Sequence, residues 1–178
     1  MHARTQWLVV LGVVGALVLG VTLALRFSPE IRAVAPGTPA PEFAAIDVRT
    51  GEPRDLASYE GHVLLINVWA TWCEPCRVEM PSMQRTYETL AERGFRIAAI
   101  SVDAGKPDAV REFAEELHLS FDVLHDPDGT IQQVYQTTGV PESWMVDRHG
   151  IIVKKVIGAH EWDTPANLAL INRLLDDD

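Results

Sequence analysis

The chain has 178 residues, enough for one domain of ordinary size and a short additional segment. It carries 15 Lys and Arg against 25 Asp and Glu, a net charge of −10 with no basic run, which sets aside a nucleic-acid partner whose phosphates need clustered cations. An apolar fraction of 47% argues against disorder, and a cysteine complement of only Cys73 and Cys76 excludes a disulfide framework.

Residues 7–25 form an uncharged apolar run of 19 residues. As a helix it would be about 28 Å long, close to the hydrocarbon thickness of a bilayer. A cleaved signal peptide has a shorter apolar core, ~7–15 residues. Ala33-Val34-Ala35 resembles a cleavage site, but it lies behind Arg26, Glu30 and Arg32 and is followed by Pro36, so an uncleaved anchor is favoured. Basic residues flank the run on both sides, and orientation is not decided by charge. Gly12, Ala16 and Gly20 are four apart, a spacing common in membrane helices with or without a packing role. The expected organisation is an anchor with its flanks at 1–32, a Pro-rich extended spacer at 33–41, and a domain at 42–178.

Residues 43–61 predict a short hairpin around Thr50-Gly51 and a helical turn. The continuous apolar run 63–69 predicts a strand covered on both faces. A helix follows at once, because Cys76, Met80, Met83, Tyr87 and Leu90 recur at alternate spacings of 4 and 3. Pro81 within it removes an amide donor and predicts a kink. A second buried strand is expected at 96–102, a helix at 107–118, a short strand at 121–125 and a short helix at 128–136. Strands at 143–147 and 151–157 form a hairpin, and Thr164-Pro165 opens a last helix running to residue 175. The pattern is an α/β sheet with helices on both faces.

Cys73 and Cys76 stand where the buried strand gives way to the helix. A thiolate at a helix N-terminus is stabilised by free backbone N–H groups and by the positive end of the macrodipole. Cys76, one turn on, is within reach for a disulfide, so the pair can exchange with substrate disulfides. Zinc would need four ligands, and the six His show no paired spacing. A structural role is weak, since so short a loop constrains the unfolded chain little.

The segment NVWATWCEPCRVEMPSM, residues 67–83, resembles the active site of membrane-anchored, extracytoplasmic thioredoxin-like proteins of the TlpA/ResA/CcmG type. The likeness runs from about residue 35 to 175 and includes the APGTPAPEF lead-in, the inserted βα segment and GVPESWMVDRHG. It implies a thioredoxin-like fold, preceded here by one transmembrane helix. Many of these relatives reduce disulfides during cytochrome c maturation. The resemblance therefore implies a catalytic domain on the periplasmic side of the cell membrane, a disulfide-containing protein substrate such as apocytochrome c, a membrane electron donor, and no cofactor or metal. It also implies that Pro141 is cis and faces the cysteine pair, with the Val140 backbone pairing with an extended substrate.

Glu142 and Asp103 are the acidic candidates for proton transfer, provided that they are desolvated near the thiols. Trp72 is expected to border the substrate groove, and Glu74 and Pro75, between the cysteines, to tune the couple. The same extracytoplasmic thiol–disulfide exchange on other substrates is the nearest alternative, and two other classes compete. A peroxiredoxin would need Pro at Ile66 and Thr at Ala70. A thioredoxin-like copper chaperone would bind Cu(I) through the two thiolates and little else.

Overall fold

The computed structural model describes residues 2–27 and 33–177; the flank expected at 28–32 lies outside the described residues. The chain divides into two compact units, Met1–Arg32 and Ala33–Asp178. The first is helix α1, His2–Phe27. Among the described residues it is the one helix long and apolar enough to cross a membrane, over Gln6–Leu23.

The second unit has a hairpin of β1 (Ala44–Asp47) and β2 (Pro53–Asp55), followed by a 3-10 turn that Asp55 caps through the amide of Ser58. Strand β3 (Val63–Trp69) leads into α2 (Glu74–Leu90), and β4 (Phe95–Ser101) into α3 (Asp108–Glu116). Then come β5 (Asp122–His125), α4 (Thr130–Val134), β6 (Glu142–Val146), β7 (Ile152–Ile157) and α5 (Pro165–Asp176). The Thr164 hydroxyl caps α5 on the amide of Asn167. The strands form one mixed sheet in the order β2-β1-β5-β4-β3-β6-β7. Within it β3, β4 and β5 run parallel, and β6 is antiparallel to both β3 and β7.

Alternation along β3 separates two cores. Val63, Leu65 and Trp69 point to the face covered by α2, α3 and α5, where Met80, Met83, Phe113 and Ile171 pack. Leu64, Ile66 and Val68 point to the other face, covered by α4 and the segment leading into the sheet, with Phe43, Tyr59 and Tyr135. Helices thus cover both faces, but unequally, with three on one and the five-residue α4 on the other. Both cores draw only on residues between 34 and 175, so the second unit carries a complete core of its own. The periodic face of α2 packs as the 4-3 spacing predicts, and the helix continues through Pro81.

The Pro-rich stretch is not a free spacer. Pro39 bridges Ile151, Gly37 N–H donates to Ile152 O at 2.7 Å, and Ala40 N–H to Gly150 O at 2.8 Å. Val34 and Ala40 are buried. Few prolines interrupt these particular donors, so the segment pairs with the start of β7 and contributes to the α4-side core.

Candidate active site

The C-terminal end of β3 is the place where chemistry can collect. The chain leaves the sheet at Trp69, turns through residues 70–72, and enters α2 with Cys73 as N-cap. Cys73 Sγ accepts the N–H of Cys76 at 3.2 Å, one of the orphan donors of the first helical turn. Cys73 and Cys76 are joined as a disulfide, with Cα atoms 5.3 Å apart. Cys73 is 5% exposed and Cys76 is fully buried, so an incoming nucleophile or substrate meets Cys73 first. Glu74 and Pro75 occupy the exposed outer side of the first turn. Trp72, immediately before the cysteine, is 71% exposed.

The Val140-Pro141 peptide is cis. Glu142 pairs with Val68 in the β3–β6 register, so Pro141 continues β6 beside the end of β3 where the chain turns toward Cys73. Val140 packs against both cores, one of which contains the two cysteines.

The two acidic residues singled out from the sequence are both buried, and each is hydrogen-bonded to a loop. Asp103 Oδ2 accepts the Thr71 N–H at 2.8 Å and the Ser101 hydroxyl at 2.7 Å, while Oδ1 accepts the Thr71 hydroxyl at 2.6 Å. It staples the turn that carries Cys73 to the end of β4. Glu142 shares its sheet face with Val68, which belongs to the α4-side core, whereas the cysteines belong to the α2 side. Its carboxylate therefore lies on the face opposite the disulfide. The expectation of a desolvated acid next to the thiols is not met by Glu142, because strand parity turns its side chain away.

The acid on the cysteine side is Glu79, which the sequence reading did not single out. It lies three residues after Cys76 on the buried face of α2 and is 2% exposed. Asn67 Nδ2, from the middle of β3, donates to its Oε1 at 2.7 Å, and the His160 N–H donates to its Oε2 at 3.1 Å. Burial pushes its pKa up from 4.5 to about 7, against the pull of these hydrogen bonds. A signal is present in the sequence: a carboxylate one residue from Met80, beside a stripe made of Cys, Met, Tyr and Leu. Asn67 and Ser143, hydrogen-bonded at 2.9 Å across β3 and β6, complete a polar seam beneath Glu79.

A Cys-x-x-Cys disulfide at the end of a buried strand, with one sulfur on a helix N-terminus, puts the protein in the class of thioredoxin-like thiol–disulfide oxidoreductases. Comparisons with known proteins narrow this. The AhpC/TSA family model matches residues 36–155. The chain is 33% identical over 141 residues to thiol-disulfide oxidoreductase ResA of Geobacillus kaustophilus, covering 79% of each protein. It is 34% identical over 157 residues to ResA of Oceanobacillus iheyensis, covering 85% of this chain and 79% of that one. A solved structure described as a thiol:disulfide interchange protein DsbE from Chlorobium tepidum superposes with a TM-score of 0.72 at 31% identity, covering 79% of this chain and 97% of its own. The chain belongs to the ResA-type thiol-disulfide oxidoreductases of the AhpC/TSA family. Its substrates are accordingly disulfide-containing proteins.

Proposed function

We propose that the protein is a membrane-tethered reductant that acts outside the cytoplasm, with apocytochrome c as its protein substrate and a membrane protein as its electron donor. The observation that carries the mechanism is a buried Cys76 with Glu79 one turn away on the same helix face. In the reduced protein the Cys73 thiolate, stabilised at the N-terminus of α2, attacks a substrate disulfide. One substrate sulfur leaves as a thiolate and the other remains bonded to Cys73. Cys76 must then lose its proton to attack Cys73 Sγ, and water does not reach it. Glu79, with a pKa of about 7, is matched to accept that proton at neutral pH. Attack by the Cys76 thiolate closes the Cys73–Cys76 disulfide and releases the second substrate thiolate. The donor returns two electrons to the pair and the cycle repeats.

Trp72 and the main chain at Val140 form the two walls against which an extended substrate lies, in this reading. Asp103 serves as a positioning residue for the turn before Cys73, and the exposed Glu74 and Pro75 tune the first turn. The anchor at residues 7–25 keeps the domain at the membrane, and an oxidising compartment makes the electron donor necessary. Equilibration of the Cys73–Cys76 couple against graded thiol buffers tests the direction. A potential near about −270 mV is expected for a dedicated reductant, and one near about −120 mV would make the protein an oxidant and end the reading.

A further inference from the structure

Glu142 is fully buried on the α4 side of the sheet, and its side-chain hydrogen bonds both lead back to one loop. Its Oε1 accepts the Thr138 N–H at 3.0 Å and the Thr138 hydroxyl at 2.6 Å. Its Oε2 has no hydrogen bond and lies 3.5 Å from Lys155 Nζ, which in turn sits over the Trp144 ring at 5.2 Å from the centroid. Thr138 and Glu142 are the two ends of the segment that carries Gly139, Val140 and Pro141. From the other side, the Gly158 N–H donates to Pro141 O at 2.9 Å.

Burying a carboxylate costs several kcal/mol unless it is paired and hydrogen-bonded. An apolar residue would fill this core position without that cost, so the bonds made must serve something beyond packing. Gly139 has nothing within 4 Å of where a side chain would start, so packing does not hold this part of the loop. The hydrogen bonds to Thr138 do.

We propose that Glu142 is a positioning residue that closes loop 138–142 into a hydrogen-bonded ring and so holds the main chain at Val140 in place for an extended substrate. This rests on the reading that substrate pairs with Val140, and it assigns Glu142 no proton. A loop held in its binding geometry loses less freedom when substrate arrives, and the benefit appears in substrate binding rather than in the sulfur chemistry. Lys155 supplies the countercharge that lets the carboxylate be buried.

The test uses the full chain in detergent micelles with three variants, E142A, E142Q and T138V. The substrate probe is an extended peptide containing one Cys-x-x-Cys disulfide. E142A should raise KM for this peptide about tenfold, equivalent to about 1.4 kcal/mol at 25 °C, with the potential of the Cys73–Cys76 couple unmoved. T138V, which loses the hydroxyl donor alone, should give a smaller rise. E142Q keeps an oxygen toward Thr138 and leaves Lys155, which is partly exposed, free to turn to solvent, so it should stay near wild type. Amide hydrogen exchange at Gly139 and Val140 gives a readout independent of turnover, expected to speed up in E142A and not in E142Q. Unchanged exchange in E142A overturns the clamp. So does an E142Q variant as slow as E142A with a shifted pH–rate profile, which would return Glu142 to proton transfer. A wild-type protein that fails to reduce the peptide would remove the reductase reading, and the exchange rates would still decide the clamp.

Discussion

Replacing Glu79 by Gln separates the burial of this side chain from its charge. In the native protein the carboxyl titrates at about 7, while in the unfolded chain it returns to the ordinary 4.5. Between those two values the folded state holds a proton that the unfolded state has released, so stability falls as pH rises through that window. The loss is complete above about 7 and amounts to about 3 kcal/mol. Below about 4.5 both states are protonated and the group contributes no pH dependence. Gln titrates nowhere in this range. It also presents one oxygen to two donors, Asn67 Nδ2 and the His160 N–H, and so gives up one hydrogen bond, about 1 kcal/mol at every pH.

The expected result is a crossing. Glu79→Gln should be less stable than wild type by about 1 kcal/mol at pH 4 and more stable by about 2 kcal/mol at pH 8. Urea denaturation of the oxidised protein at a series of pH values measures it. All other titrating groups are shared, so the difference between the two curves isolates residue 79. A difference that stays flat from pH 4 to 8 would refute the reasoning, because it would mean that the carboxylate is ionised in the fold at no special cost. The same variant should slow closure of the Cys73–Cys76 disulfide from a mixed disulfide, with the wild-type rate rising through pH 7 and the variant lacking that step.

Cys76→Ser removes the resolving thiol and should accumulate substrate proteins bonded to Cys73; membranes that yield an empty trap by non-reducing electrophoresis would refute the exchange mechanism. Asp103→Ala leaves the amide and hydroxyl of Thr71 and the hydroxyl of Ser101 without their acceptor and should destabilise the protein by about 2–4 kcal/mol in urea, with Asp103→Asn losing less than half of that. Trp72 is largely exposed, so Trp72→Ala should leave the denaturation midpoint within about 0.5 kcal/mol of wild type while raising KM for a peptide disulfide. A Trp72→Ala variant with unchanged KM would show that the indole borders no substrate.

The parts of this molecule that could be read from sequence are those whose signal is local. The apolar run of β3, the 4-3 spacing of α2 and the Thr164-Pro165 start of α5 each lie within one element and are found where their patterns put them. The cysteine pair was equally plain, since a strand end followed by a helix start defines its surroundings. The Pro-rich lead-in was misread because its partners, residues 150–152, are more than a hundred positions away and leave no mark on its composition. Glu142 is a candidate for proton transfer only where it lies near the thiols, yet the face it occupies depends on the β3–β6 register, and a shift of one residue would turn it the other way. Glu79 was passed over because a single charge on an apolar helical stripe reads as an interruption. Only the packing of that stripe under β3 shows that the carboxylate is cut off from water and left with two donors in its place.

Three of the buried carboxylates, Asp103, Glu142 and Glu79, stand around the C-terminal half of β3, and their partners sort them. Asp103 receives three donors and joins the turn before Cys73 to β4. Glu142 receives two from Thr138, faces the cation of Lys155, and closes the loop before β6 on the far side of the sheet. Both are tied to loop main chain through their side-chain oxygens, so removing either side chain would loosen a loop. Glu79 has two donors and shares a helix face with Cys76, and burial raises its affinity for a proton into the neutral range. A proton on Glu79 can come and go with the state of the sulfurs, because its two donors are an amide side chain on β3 and a backbone N–H, neither of which must move for it to do so. That division of labour predicts that variants of Glu79 act on pH dependence, whereas variants of Asp103 and Glu142 act on stability and substrate affinity with the pH profile preserved.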